Sequence, residues 1–348
     1  MSRVRRPTIT DVAALAGVSV KSVSRVINDV PTVAPEIRAA VLDAVSTLGY
    51  HSNRGAASLR SGRSRIAAFI VRDISNPFYS GLIAGATEVA EQAGLQLLTA
   101  SSDISLERQS ALVDTLMEYR PQALLVTPTG GRDRALEREH SFGTTIVAVD
   151  QAIEGLECDV VGFDNRRDCA RAMSVALDLG WGQPAAIIDS DSLRTMPQRL
   201  EGVQQALIER GFDPIPTRRV LRAHSFDDAL NSALQLFSLP SPPASVFCGN
   251  NVIAYAALQA AHIHQMEINI IVFDPVAGSP SLDVRIISIE HDARDIGRLA
   301  MRVALERAEE PQAPFRQHEA RTWLTLNPAA SRPITSPTSR QESAPGTD

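Results

Sequence analysis

The sequence is poor in cysteine, lysine and aromatic residues, and it has no long apolar run. Apolar segments such as Ile66 to Val71 are far shorter than the roughly 20 residues that a membrane-spanning helix needs. The basic start, Met1 to Pro7, is followed by polar residues, which argues against a secretory signal. The cysteines, Cys158, Cys169 and Cys248, lie far apart and are odd in number. They predict unpaired thiols in a reducing cytoplasm, and we expect no membrane contact.

The sequence also lacks the usual signatures of catalysis. No Gly-x-Gly-x-x-Gly follows the first predicted strand, and neither a Walker loop nor a nucleophile elbow is present. The seven histidines have no metal-ligand spacing, since His262 and His264 are two residues apart on a predicted helix and diverge. The sequence therefore predicts neither an enzyme nor a metal site, and no cofactor.

Positive charge is concentrated at the N-terminus. Residues 1–65 contain ten Lys or Arg and four acidic residues, a net charge of +6, which leaves −12 for the remainder of a chain whose total is −6. A small basic segment on an acidic body is typical of polyanion binding, although a solvated charged arm would show the same excess. The length of 348 residues predicts two or three domains.

Residues 8–50 predict three short helices. Thr10 can cap the first, Ser19 can cap the second, which runs to about Asn28, and Pro35 suits the first position of the third. The second helix has an apolar face, which carries Val23, Val26 and Ile27. Its outward face carries Val20, Lys21, Ser24 and Arg25. Two helices joined by a tight turn and braced by a third predict a helix-turn-helix.

From Ile66 onward, short apolar runs alternate with amphipathic helices, which predicts doubly wound parallel sheets with helices on both faces. The predicted strands are Ile66–Val71, Leu95–Ala100, Ala123–Thr127, Ile146–Asp150, Val160–Asp164, Ala185–Asp189, Ser245–Cys248, Ile268–Asp274 and Ile286–Ile289. The predicted helices include Tyr79–Ala93, Leu106–Tyr119, Cys169–Leu179, Gln198–Arg210 and Val252–Ile263. These strands are too many for one typical sheet, so we expect two subdomains with a ligand cleft at the carboxyl ends of the strands. Asp150, Asp164, Asp189 and Asp274 lie at such ends, although a single aspartate there is often only a helix cap.

Several motifs resemble the lactose and galactose repressor (LacI/GalR) family. The N-terminal block runs from Thr8-Ile9-Thr10-Asp11-Val12-Ala13 through Gly17-Val18-Ser19 to Val23-Ser24-Arg25-Val26-Ile27-Asn28. Further similar motifs are Leu48-Gly49-Tyr50, Asn76-Pro77-Phe78, Gly162-Phe163-Asp164-Asn165, Arg199-Leu200-Glu201-Gly202 and Phe273-Asp274. The resemblance therefore spans roughly residues 8–326 in order.

The resemblance implies an all-α helix-turn-helix domain, a hinge and an α/β effector-binding and dimerisation domain built like periplasmic binding proteins. The expected boundaries are 1–50, 51–64 and 65–328, with an N-subdomain at 65–164 plus 292–320 and a C-subdomain at 165–291 plus 321–328. The tail, 329–348, is rich in Ser, Pro and Thr without apolar period, and we expect it to be disordered.

The resemblance also implies a homodimer whose recognition helices enter the major groove of double-stranded operator DNA. Val20, Lys21 and Arg25 would read base edges there, although Lys21 could equally be a solvated helix charge. The other implied DNA-contacting residues of the helical segment are Thr8, Ser19, Ser22, Ser24 and Asn28.

A hinge helix at about residues 53–61 is implied to form on DNA. Its contacts would be Asn53, Arg54, Ala57 and Leu59, with Leu59 wedged into the minor groove. The alternative is that Leu59 packs against the body of the protein. Gly55 disfavours this helix by about 1 kcal/mol relative to alanine.

An effector is implied to contact Phe78, Tyr79, Asp150, Asp164, Thr195, Arg199, His224, Asn250, Asn251 and Asp274. Arg199 would grip a carboxylate or two hydroxyls, or else form a salt bridge with a neighbouring acid. His224 could equally be a surface histidine. Asn251 stands where an aspartate is usual in the family, and this missing negative charge favours a sugar acid over a neutral sugar.

We therefore expect a cytoplasmic repressor whose grip on a near-palindromic operator is set by a small molecule that shifts an open–closed equilibrium. Whether the effector releases or strengthens the DNA contact stays open, as does activation in place of repression. The alternative is a two-lobed sugar-binding protein without a regulatory role. That class would need a signal peptide and would not carry a helix-turn-helix.

Overall fold

The chain divides into two compact units, Met1–Ser64 and Arg65–Asp348. The computed structural model describes residues 7–27, 30–50, 64–190, 193–278 and 284–327. Asn28, the hinge residues Asn53, Arg54, Ala57 and Leu59, and the tail from 329 lie outside the described residues.

The first unit contains three helices, α1 (Ile9–Ala16), α2 (Val20–Ile27) and α3 (Pro35–Leu48). Its core consists of small apolar side chains from all three, namely Val12, Ala13, Val23, Val26, Val41 and Ala44. The turn between α1 and α2 is entered at Gly17, whose φ of 66° is the left-handed conformation that glycine adopts most easily. The predicted helix-turn-helix is confirmed.

The N-cap of α1 is Thr8, so the prediction of Thr10 was wrong. The Thr8 hydroxyl accepts from the backbone N–H of Asp11 at 3.4 Å, and the Asp11 carboxylate accepts from the backbone N–H of Thr8 at 2.7 Å. This reciprocal capping box satisfies two of the free N–H groups at the start of the helix. Thr10 lies inside the helix, where its hydroxyl cannot perform that role.

The second unit contains two six-stranded sheets. The first sheet comprises β1 (Ile66–Val71), β2 (Gln96–Ser101), β3 (Leu124–Val126), β4 (Ile146–Asp150), β5 (Asp159–Gly162) and β11 (Gln317–Glu319), in the order β11-β5-β4-β3-β1-β2. The second comprises β6 (Ala185–Ile188), β7 (Val220–Arg222), β8 (Ser245–Cys248), β9 (Asn269–Phe273), β10 (Arg285–His291) and β12 (Thr322–Leu326), in the order β12-β10-β9-β8-β6-β7. All these pairings are parallel except that of β10 with β12.

The helices of the second unit are α4 (Pro77–Gln92), α5 (Leu106–Met117), α6 (Arg134–Ser141), α7 (Asn165–Asp178), α8 (Thr195–Glu209), α9 (Phe226–Phe237), α10 (Asn251–His264) and α11 (Ala293–Glu309). The nine predicted strands are present with ends shifted by at most two residues. Strands β7, β11 and β12 were not predicted, because two of them have only three residues and none is a continuous apolar run. The prediction of two doubly wound sheets is confirmed.

Helices α4 and α11 pack together at unusually close range. A Cβ atom on Gly85 would overlap the carbonyl oxygen of Arg294, and one on Gly297 would overlap that of Leu82. The two glycines therefore allow backbone-to-backbone contact between a helix near the start of the unit and one near its end. The contact fixes α11 against the first sheet, although α11 follows five of the six strands of the second sheet in the chain.

The described residues show two further features. Cys158, Cys169 and Cys248 are buried and unpaired, as predicted. None of the described helices is long and apolar enough to cross a membrane.

Candidate functional site

In each sheet, the chain reverses its winding direction beside the first strand of that sheet. The reversal lies between β1 and β3 in the first sheet and between β6 and β8 in the second. Open α/β sheets bind ligands at the carboxyl ends of strands beside such a reversal. Charged and polar side chains from both sheets meet there, and we call them the strand-end cluster: Arg72, Thr129, Asp150, Gln151, Asp189, Arg199, Asp274 and His291.

Arg199 projects from helix α8 and is only 4% exposed. Its Nε donates to the Asn165 side-chain oxygen at 2.8 Å, and its Nη1 donates to the Gly249 carbonyl at 2.7 Å. The guanidinium also lies over the Phe273 ring, 3.6 Å from its centroid. Nη2 is 4.0 Å from the Asp150 carboxylate, which is too long for a hydrogen bond. Most of the guanidinium is thus held by the protein, and Nη2 is the part that faces across to the first sheet.

Two aspartates of the cluster have strained backbones. Asp150 ends β4 with a φ of 75°, and Asp274 follows β9 with a φ of 89°. Such angles are uncommon for residues other than glycine and are concentrated at functional sites. Burial raises the pKa of Asp150, although the nearby Arg199 and Arg72 act in the opposite direction.

His291 ends β10 and contacts Asp274. Its Nε2 is 2.9 Å from the Asp274 carboxylate, and its ring packs edge-on against Phe78 with centroids 5.1 Å apart. The Phe163 ring lies 5.0 Å from the imidazole on another side. His291 therefore orients Asp274 and closes an aromatic wall of the cluster.

Arg72 follows β1 and links the first sheet to the second. Its Nη2 lies 3.8 Å from the Asp189 carboxylate, which follows β6. Burial lowers the pKa of Arg72, but the neighbouring Tyr79, Asp189 and Asp150 outweigh this and hold it above its ordinary value. Burial raises the pKa of the Tyr79 hydroxyl to about 12, so that group stays protonated at neutral pH.

Five buried side-chain atoms have no hydrogen-bond partner within the described part of the chain, and all five belong to this cluster. They are Arg72 Nε, Thr129 Oγ1, Asp150 Oδ1, Gln151 Oε1 and His291 Nδ1. A buried polar atom left unpaired costs about 1–3 kcal/mol, so such atoms are rare in proteins. Their concentration at one place indicates a site that binds a polar ligand.

A surface groove elsewhere is a weaker candidate. It has a volume of about 680 Å³ along the outer face of α8 and is lined by residues such as Leu200, Ile208 and Arg222. None of the five unpaired atoms belongs to its lining residues. The strand-end cluster is therefore the stronger candidate for the ligand site.

The residues that the family resemblance implied for an effector fall into two groups. Tyr79, Asp150, Arg199, Asn251 and Asp274 are buried, and Phe78 packs on His291. Asn251 reaches across to the first sheet, since its side-chain oxygen is 3.4 Å from Asn76 Nδ2. Thr195 is buried at the first residue of α8.

The remaining three residues have local structural roles. Asp164 caps α7 by accepting from the Arg167 N–H at 3.0 Å, and Asn250 caps α10 by accepting from the Ile253 N–H at 2.9 Å. The His224 side chain is 65% exposed and contacts Asp189 at 3.3 Å. For Asp164 and His224, these are the cap and surface alternatives that the sequence left open.

Five cluster residues were not among the implied effector residues, namely Arg72, Thr129, Gln151, Asp189 and His291. Asp189 was noted at a strand end, and the position of Arg72 directly after the first apolar strand carries the same signal. A rule that marks the first polar residue after every predicted strand would have found three of them. It would not have indicated that Arg72 and Asp189 meet, because that contact depends on how the two sheets pack.

The outward face of α2 is accessible in the first unit. Val20 is 42% exposed, and Lys21 and Arg25 are exposed beside it. Ser19 and Ser22 bond to each other at 3.0 Å, and Arg25 Nη2 donates to the Thr32 hydroxyl at 2.6 Å. This face combines cationic, hydroxyl and apolar groups, the types that contact DNA bases and phosphates.

Family models match both units. The model "Bacterial regulatory proteins, lacI family" matches residues 8–53, and "Periplasmic binding proteins and sugar binding domain of LacI family" matches residues 65–298. The chain belongs to the LacI family. It is a DNA-binding transcriptional regulator with a small-molecule-binding domain, and its relatives are regulators, not enzymes.

Individual LacI-family proteins are similar to this chain over most of their length. The HTH-type transcriptional regulator DegA of Bacillus subtilis is 32% identical over 76% of this chain and 79% of its own. The ribose operon repressor of Escherichia coli K12 is 26% identical over 87% of this chain and 94% of its own. The crystal structure of the lac repressor dimer bound to operator and the anti-inducer ONPF has a TM-score of 0.80, at 19% identity over 93% of this chain and 99% of that one.

Proposed function

We propose that this LacI-family protein is a repressor that binds a near-palindromic operator as a homodimer in the cytoplasm. A polyhydroxylated small molecule in the strand-end cluster would control that binding. The domain boundaries expected from the sequence fit this division of labour, with 1–50 contacting DNA, 51–64 acting as the hinge and 65–328 holding the effector and the dimer face.

The observation that carries the effector role is the concentration of unpaired buried polar atoms where the two sheets meet. Arg72–Asp189, Asp150–Arg199 and Asn76–Asn251 all join a residue of the first sheet's side to one of the second's. A ligand that binds among them contacts both sheets at once. It therefore biases the angle between them by as much as its affinity differs between the open and closed arrangements.

The DNA-binding role is supported by the outward face of α2. Val20, Lys21 and Arg25 are exposed on one side, while Val23 and Val26 are buried on the other. Lysine and arginine can donate to guanine, and valine can contact the methyl group of thymine. A two-fold dimer presents two such helices, which is why we expect a near-palindromic operator.

The test is binding of the purified full-length chain to its own upstream intergenic DNA, measured by fluorescence anisotropy at several salt concentrations. We expect sequence-specific binding with a steep salt dependence. Addition of sugars, sugar acids and sugar phosphates, one at a time, identifies the compound that changes binding and whether it releases or strengthens the DNA contact.

Two variants control this test. Arg199→Ala should abolish the effect of the compound on DNA binding, whereas Arg302→Ala, an exposed arginine on α11, should leave it unchanged. Binding that no compound alters, or an effect that survives Arg199→Ala, contradicts the proposed effector site. DNA binding without sequence preference, to this region and to a randomised pool alike, contradicts the repressor role.

A further inference from the structure

The strand-end cluster contains two buried guanidinium groups, and the described residues hydrogen-bond them to very different degrees. Arg199 donates to two oxygens below 3 Å and lies on an aromatic ring. The Arg72 side chain is only 7% exposed, yet among the described residues its Nε has no hydrogen-bond partner, and the nearest carboxylate, that of Asp189, is 3.8 Å away. Of these two cations, Arg72 is the one with unused hydrogen-bonding capacity.

Asp189 is also a weak partner for Arg72, because its carboxylate is already shared. One of its oxygens accepts from the Ser190 backbone N–H at 2.6 Å and contacts His224 Nδ1 at 3.3 Å. The other oxygen faces Arg72 at a distance beyond hydrogen bonding. The Tyr79 hydroxyl contacts the guanidinium as a neutral group. Among the described residues, Arg72 is therefore a buried cation with no carboxylate within hydrogen-bonding distance.

A guanidinium is a planar fork that matches carboxylate and phosphate oxygens, and burial strengthens such pairs. On the proposed effector function, we propose that Arg72 determines specificity by binding an anionic group, a carboxylate or a phosphate, of the effector. Two strands away in the same sheet, the acceptor atoms Asp150 Oδ1 and Gln151 Oε1 are buried and have no hydrogen-bond partner in the part of the chain that the structure describes. They suit the hydroxyl groups of the same molecule, so the ligand class is a polyhydroxylated anion.

Through Arg72, this anion can affect the contact between the first sheet and the second. Arg72 follows β1 of the first sheet and Asp189 follows β6 of the second. An anion on Arg72 competes with Asp189 for the same guanidinium. Removing the Asp189 charge should therefore strengthen anion binding, which is the opposite of what a supporting structural residue would do.

The experiment compares matched ligands on the purified full-length chain by calorimetry. Glucose is compared with glucuronate and glucose 6-phosphate, and galactose with galacturonate, all at one ionic strength held with potassium chloride. Inorganic phosphate and malonate serve as minimal probes, read as a rise in melting temperature. Comparing the carboxylate ligands with the phosphate ligands shows which of the two anionic groups the site prefers.

We expect the wild type to favour anionic members over their neutral counterparts by about 10- to 100-fold, the range for hydrogen bonds to charged groups. Arg72→Gln should abolish that preference and the stabilisation by the minimal probe, while changing neutral-sugar binding less than about 3-fold. Arg72→Lys keeps the charge without the fork and should retain part of the preference. Asp189→Asn should increase anion affinity, and Arg302→Gln should change nothing.

The inference is overturned if neutral sugars bind as tightly as anions, or if the preference for anions survives Arg72→Gln. Neither result would contradict the proposed effector function. The same holds if neither phosphate nor malonate raises the melting temperature of the wild type more than that of Arg72→Gln. If no compound of any class binds the wild type, both the inference and the proposed effector site are wrong. Should Arg72→Gln fail to fold, the Asp189→Asn and Arg72→Lys measurements decide.

Discussion

The outward face of α2 and the strand-end cluster contain similar residue types in opposite surroundings. On α2, Lys21 and Arg25 are exposed, and Arg25 bonds to Thr32 at the surface. In the cluster, Arg72 and Asp150 are buried, and each has a polar atom without a hydrogen-bond partner among the described residues. Exposed charges act through water and are screened by salt, whereas buried ones act strongly on whatever touches them. The first surface suits long-range attraction to a polyanion, and the second suits selection of one small ligand.

The largest effect on stability is expected from a substitution that disrupts helix packing in the second unit alone. Gly85→Ala places a methyl group on the Arg294 carbonyl and should destabilise that unit by about 3 kcal/mol or more. Calorimetry of the full chain should show the transition of the second unit lowered and that of the helical unit unchanged. Glu91→Ala, on the exposed last turn of the same helix, is the control. An unchanged melting curve for Gly85→Ala would contradict the close packing of α4 and α11.

The next prediction separates ligand binding from stability within the cluster. Asp150→Asn should weaken effector binding about 10- to 100-fold, because a charged acceptor is lost. Burial holds the pKa of Asp150 above its unfolded value, so its ionised form lowers stability, and this loss develops as pH rises from the unfolded pKa to the folded one. Asparagine also tolerates the positive φ at this position.

The variant should therefore melt above the wild type at pH 7, a difference that disappears below about pH 4. Asp164→Asn is the matched control, since Asp164 is half-buried and caps α7. It should show no large loss of effector binding. A lower melting temperature for Asp150→Asn at pH 7 would mean that its pairing with the arginines outweighs its burial.

On the DNA side, Lys21→Ala should reduce operator affinity about 10-fold or more if Lys21 reads a base, with relaxed preference at one position of each half-site. A solvated charge would instead weaken all sequences equally and lower the salt slope by about one. Anisotropy with the operator and with single-base variants distinguishes the two. Arg302→Ala again serves as the control outside the helical unit.

The smallest effect concerns the start of α1. Thr8→Ala removes the capping hydroxyl and should destabilise the helical unit by about 1 kcal/mol. Thr10→Ala, at an exposed position within the helix, should be neutral or slightly stabilising. Thermal unfolding of both variants measures the difference. Equal losses in the two would contradict the capping box.

Much of the fold was predictable because its signals are local. Buried strands such as Ile146–Asp150 read as continuous apolar runs, and the three helices of the first unit follow from caps and apolar spacing. The cap was misplaced by two residues because Thr8 and Thr10 have equivalent chemistry in sequence, and only the Asp11 contact decides between them. The strands β11 and β12 escaped prediction because both are short and neither is a continuous apolar run.

The site was only partly predictable, because part of its signal is not local in the sequence. Asp150 and Asp274 could be found from their places at strand ends, and Arg199 was implied by the family resemblance. Whether a strand-end residue faces the ligand or caps the next helix depends on local backbone angles. Asp164 and Asn250 cap helices, whereas Asp150, with its φ of 75°, ends its strand inside the cluster. Such angles are set by packing of the completed unit.

The close contact between α4 and α11 has a consequence for the order in which the protein becomes functional during synthesis. All three helices of the first unit are complete at Leu48, whereas α11, which packs on the first sheet, ends only at Glu309. At about 5–20 residues per second, the interval between them is on the order of ten to fifty seconds. A nascent chain thus possesses its DNA-contacting helices well before the unit that senses the effector can close.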